Sequence, residues 1–215
     1  MKHSFPFLAA VLLTASAGFA VDATKPAPAC CAEAKPAATV APCCAEMKSG
    51  TPLSNRSLYQ LDATWTDDAG QPVRLATMRG GPIVLAMVFA SCEYACPVIV
   101  NDLQRLRAAL PADVRGKVRL VLVSFDTARD TPAALRTFRE RMSLDAGWSL
   151  LRGDAGSVQE LAMLLGVKFK QDARGQFAHS NLFTLLNTEG EIAHQHVGLK
   201  GDLADVTKAT LLAVK

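Results

Sequence analysis

From Leu53 onward the apolar positions fall into short runs whose period changes repeatedly between that of a strand and that of a helix. Alternating residues from Tyr59 to Trp65 and from Gln71 to Leu75 flank Asp67-Asp68-Ala69-Gly70, which predicts a hairpin. The run from Pro82 to Ala90 is apolar on both faces, as a buried central strand requires. Ile99, Leu103, Leu106 and Leu110 recur at 4-3-4 spacing and predict a helix from Pro97 to Leu110. A second buried strand is expected at Val118–Phe125. Asp130-Thr131-Pro132 then starts a helix that turns Leu135, Phe138 and Met142 inward. A short strand at Trp148–Leu151 and a helix at Ser157–Leu165, closed by Gly166, come next. Strands near Asn181–Leu186 and Ile192–Val197 meet at the turn Asn187–Gly190, and a last helix runs from Asp202.

The residues before Leu53 follow another pattern. Lys2 and His3 precede an uncharged stretch, Ser4 to Val21, that ends in Ala17-Gly18-Phe19-Ala20. A basic start, an apolar centre and small residues before a cut describe a secretory signal peptide over residues 1–20. Cleavage leaves 195 of the 215 residues. An exported, periplasmic protein is therefore expected, the alternative being an inner-membrane anchor that faces the periplasm. Residues 21–52 are rich in Ala and Pro and contain no aromatic residue, no Leu and no Ile. They are expected to form a disordered N-terminal tether ahead of one folded domain, 53–215.

Composition narrows the class. Half of the residues are apolar, so the chain as a whole is not disordered. Its 23 basic and 20 acidic side chains lack the basic excess that a nucleic-acid partner needs. The six cysteines change the picture most. Four lie on the tether as doublets within a repeat, Cys30-Cys31-Ala-Glu-Ala-Lys35 and Cys43-Cys44-Ala-Glu-Met-Lys48. Cys30, Cys31, Cys43, Cys44 and Met47 are candidate accessory ligands for a soft ion such as Cu(I). In an exported protein the same cysteines are equally candidates for disulfides.

Cys92 and Cys96 belong to the folded part. Strand, helix, strand, helix, then a hairpin and a helix is the thioredoxin-like α/β order, a central mixed sheet flanked by helices with an N-terminal hairpin. Such sheets place their sites beyond the carboxyl ends of the strands, where Cys92-Glu-Tyr-Ala-Cys96-Pro97 follows the first buried strand. Pro97 suits the first helical position, which would make Cys96 the N-cap and favour its thiolate. Two thiolates attract a soft ion, and a third ligand would complete a low-coordinate site. His179 is the candidate, in a loop ahead of a predicted strand; no proline follows Pro132 to take the place opposite the dithiol. His194 and His196 share one face of their strand, either an exposed face or a second metal site. Tyr94, between the cysteines, either packs locally or meets a partner.

Cys92-x3-Cys96-Pro97, the string Val123-Ser-Phe-Asp126-Thr-Ala-Arg129-Asp130-Thr131-Pro132, and His179-Ser followed by Leu185-Leu-Asn-Thr-Glu-Gly190 together resemble the SCO/SenC family of copper chaperones. The resemblance implies that Cys92, Cys96 and His179 bind Cu(I) or Cu(II), with Asp126 near the site as a carboxylate that orients or charge-balances the ligands. It also implies a periplasmic chaperone that delivers copper to, or reduces the thiols of, the copper A centre of a respiratory oxidase. The expected partners are the oxidase subunit carrying that centre and a periplasmic copper donor protein. Membrane contact would come only through the client or an uncleaved signal segment. Glu93, Thr127 and Ala178 stand where the family usually has proline, proline and aspartate, and none of them removes a ligand. A thiol-disulfide oxidoreductase using Cys92 and Cys96, and a copper-resistance or storage protein, are the alternatives.

Overall fold

The structure, a computed structural model, describes residues 52–214. The expected signal segment, both cysteine doublets and Met47 lie outside the described residues. The framework is a seven-stranded mixed sheet. Its centre is β3 (Ile83–Val88), buried at all six positions, beside β4 (Arg119–Ser124), buried at every position but the first. Strands with no polar face can only lie inside, and these two pair in parallel from Ile83↔Arg119 to Val88↔Ser124. β5 (Trp148–Arg152) continues the parallel set beyond β4. β1 (Trp65–Asp67) and β2 (Pro72–Val73) extend that edge in antiparallel fashion. On the other side β8 (Leu182–Leu186) runs antiparallel to β3, and β9 (Ile192–Val197) forms the edge.

The helices are α1 (Ala95–Ala109), a short α2 (Ala112–Arg115), α3 (Pro132–Arg141), α4 (Ala155–Leu165) and α5 (Ala204–Ala213). The start of α3 and the end of α4 carry the capping chemistry that the sequence predicts. The Thr131 hydroxyl accepts from the Ala134 amide ahead of Pro132, and Gly166 closes α4 in the left-handed region at φ 69°. Among the described residues no helix is long and apolar enough to cross a membrane. This is the thioredoxin-like α/β architecture.

Several elements differ from expectation. The N-terminal hairpin is shorter, because Leu58–Gln60 and Leu75–Met78 are 3-10 turns and only the residues around the Asp67–Gly70 turn pair. α1 begins two residues early, at Ala95. A separate two-stranded hairpin, β6 (Phe169–Gln171) and β7 (Phe177–His179), stands between α4 and β8 where a loop was expected. Its strands are three residues long and largely exposed, so no buried period announces them.

Candidate metal centre

The cysteine loop leaves the carboxyl end of β3 and is fixed by its backbone. The Ala90 amide donates to Asp130 Oδ2 at 2.8 Å, and its carbonyl accepts from Arg141 at 2.5 Å. The Cys92 amide donates to the Phe89 carbonyl at 3.1 Å, turning the chain back toward α1. Cys96 is the second residue of that helix and not its cap, which corrects the sequence reading. Pro97 is tolerated inside the first turn because amides there have no helical partner to lose. The capping role falls to Cys92, whose sulfur accepts the Cys96 N–H at 3.3 Å.

His179 ends β7 and reaches the site from the other side. Phe169 pairs with His179 across the hairpin, and the Ser180 amide donates to the Lys168 carbonyl at 2.8 Å. Four phenylalanines hold this hairpin against the sheet. Phe125 stacks on Phe169 at 5.1 Å and meets Phe177 edge-on at 5.1 Å, while Phe89 lies 5.2 Å from Phe177. The His179 ring lies 5.1 Å from Phe125. Its Nδ1 is 3.0 Å from the Ser180 carbonyl oxygen, which can only accept. Nδ1 therefore carries a proton, and Nε2 is the ring nitrogen turned to the cysteines. Cys96 Sγ is 3.9 Å from Nε2.

The two sulfurs and an imidazole nitrogen of Cys92, Cys96 and His179 all lie within 4.8 Å of one another. Ligands bound at about 2.0–2.3 Å to one ion are separated by roughly 3.5–4 Å, so small side-chain adjustments close this set around a metal. Two sulfurs and one nitrogen suit a soft, low-coordinate ion, whereas structural zinc takes four ligands and, among the described residues, no fourth Cys, His, Asp or Glu belongs to the group. A surface recess of about 320 Å³ opens onto it, lined by Phe89, Cys92, Tyr94, Gln176, Phe177 and His179. Tyr94 stands at the rim, 71% exposed.

Both cysteines are buried and free, and they differ sharply. Hydrogen bonding from the Cys96 thiol, helped by the His179 ring and by the backbone amides of Cys96 and Tyr94, lowers Cys92 to about 3 against the opposing effect of burial. The same interaction, with burial, pushes Cys96 upward. The thiolate therefore resides on Cys92, where the sequence reading favours Cys96.

Asp126 is buried, and its carboxylate is engaged by Arg129. The carboxylate receives Arg129 Nε at 2.5 Å and the Arg129 amide at 3.1 Å. Asp130, read from sequence as part of a helix start, is the buried carboxylate that anchors the cysteine loop; it also accepts from the Ser124 hydroxyl at 2.5 Å. Burial raises its pKa. His194 and His196 do share a face, which is half-buried, and the His196 ring stacks on Phe183 at 4.8 Å.

Residues 54–210 match the SCO1/SenC family. A Stutzerimonas stutzeri protein named "Putative copper-binding protein" is 32% identical over 152 residues, which cover 68% of this chain and 72% of the relative. Among solved structures, copper-bound ScoI of Bradyrhizobium japonicum has a TM-score of 0.58 at 21% identity, covering 70% of this chain and 96% of its own. BsSco, described as a member of the Sco family of cytochrome c oxidase assembly proteins with a disulfide switch, has a TM-score of 0.59 at 24% identity, covering 69% and 91%. The last two likenesses concern the fold.

Proposed function

The chain belongs to the SCO1/SenC family, and from that premise we propose that it is a periplasmic copper-binding chaperone serving the copper A centre of a respiratory oxidase. The observation that carries this reading is the convergence of Cys92, Cys96 and His179 within 4.8 Å at the mouth of a recess. Copper is the cargo. The Cys92 thiolate is available as it stands, and Cys96 releases a proton on binding. An open recess suits handover, because a client ligand can approach the ion while chaperone ligands still hold it.

Anaerobic Cu(I) titration of the reduced full chain tests this. With Cys30, Cys31, Cys43 and Cys44 changed to Ser, one tight Cu(I) is expected. His179→Ala should weaken it by about 100-fold or more, since losing even a ligand's hydrogen-bond partner costs roughly 10–100-fold. Absence of binding, or affinity indifferent to His179, sinks the reading. Transfer from the loaded chain to an oxidase copper A domain would then identify the client.

A second reading is favoured by the unequal cysteines, which suit reduction of a client disulfide. The Cys92 thiolate would attack one client sulfur and release the other as a thiolate. Cys96 would then lose its proton and attack the Cys92 sulfur, freeing the second client thiol and leaving a Cys92–Cys96 disulfide. Cys96→Ser should trap the mixed disulfide, and His179→Ala should leave this reduction intact. The tether doublets would serve as accessory soft-ion ligands.

A further inference from the structure

We propose that Arg129 is a positioning residue that holds the β6–β7 hairpin, and with it His179, at ligating distance from the cysteine loop. The inference rests on the copper reading above. Arg129 belongs to the turn between β4 and α3. Its Nε and amide engage the buried Asp126 carboxylate, and its Nη2 donates to the Gly175 carbonyl in the tip of the hairpin, 46 residues further along the chain. The guanidinium carbon also lies 5.9 Å from the Phe177 ring, two residues before His179. One planar fork thus joins a group anchored in the core to the far end of the element that ends in His179.

The hairpin needs such a tie. It is not part of the main sheet, its strands are three residues long, and two-stranded hairpins are marginal alone. The aromatic cluster fixes its base; Arg129 fixes its tip. Gly175 is matched to that contact. It has φ +78°, and a Cβ placed there would lie 2.9 Å from Arg129 Nη1. The same turn anchors the opposite half of the site, since the adjacent Asp130 holds the Ala90 amide of the cysteine loop. The segment from Asp126 to Asp130 therefore sets the span between the sulfurs and the imidazole.

The test uses the full chain with its four tether cysteines changed to Ser. Arg129→Lys keeps a cation for Asp126, so folding survives, but a single nitrogen cannot serve Asp126 and Gly175 together. Cu(I) affinity should fall about tenfold, the scale of losing an outer partner of a ligand. Amide exchange at residues 169–171 and 177–179 should quicken about tenfold while β3 stays unchanged. Gly175→Ala should reproduce both effects from the hairpin side. In a His179→Ala background Arg129→Lys should cost nothing further in affinity. Wild-type affinity in Arg129→Lys, wild-type hairpin exchange, or an equal loss in the His179→Ala background overturns the proposal. If His179→Ala itself binds copper normally, the copper reading falls, and the exchange rates alone decide whether Arg129 holds the hairpin.

Discussion

Two cysteines that share a hydrogen bond titrate as a pair, and the pair here is lopsided. Cys92, lowered to about 3 by the Cys96 thiol, the His179 ring and nearby amides, is a thiolate throughout the physiological range. Its alkylation rate should be flat from pH 5 to 8, where an ordinary thiol gains about tenfold per unit of pH. Cys96, pushed upward by Cys92 and burial, should stay unreactive over the same range. Cys96→Ala removes the donor, so the rate at Cys92 should regain a rise with pH. Mass mapping of iodoacetamide adducts in the metal-free protein checks all three, and labelling at Cys96 before Cys92 would contradict the assignment. The identities of these residues are legible in the sequence, because Cys-x3-Cys-Pro after an apolar run and a later His-Ser can be read along the chain. Which sulfur carries charge is not legible. It depends on α1 starting at Ala95, and the proline read as marking the helix start stands inside its first turn.

Elements with a buried period or a capping residue could be placed from sequence: β3 and β4, α3 behind Thr131-Pro132, and α4 before Gly166. The β6–β7 hairpin could not, although it delivers His179. Its residues alternate over too few positions, and its restraints come from Phe89, Phe125 and Arg129, all distant in the chain. Asp126, expected by family resemblance near the site, has Arg129, three residues away, as its ion-pair partner. Helix caps and site restraints are separable in this region. Thr131→Ala removes the cap of α3, a loss of about 1 kcal/mol. For a domain of this size the melting temperature should fall by roughly 2–4 °C. Copper affinity should not change, because Thr131 holds the helix and neither half of the site. Thermal melts paired with Cu(I) competition distinguish this from Arg129→Lys, which should do the reverse.

For the whole molecule, stability and copper content are linked, and the linkage separates the two classes of cysteine. Only copper bound preferentially to the folded chain stabilises it. Cys92, Cys96 and His179 converge because β3, α1 and the β6–β7 hairpin bring them together, so unfolding scatters that site. Adjacent cysteines in a stretch without Leu, Ile or aromatic residues need no fold to meet an ion, so any copper held by the Cys30-Cys31 and Cys43-Cys44 doublets would not depend on folding. Free Cu(I) a thousandfold above its dissociation constant for the folded site should stabilise the chain by about 4 kcal/mol. That raises the melting temperature by roughly 8–16 °C. Changing all four tether cysteines to Ser should leave this rise intact while lowering the copper content of the full chain to one ion. His179→Ala should remove most of the rise and leave the copper held by the doublets. If the serine variant instead binds as many ions as the natural chain, the doublets hold none. A loss of the thermal rise in that variant would mean that their copper is bound by the folded state, through contacts with the domain that the tether composition does not predict.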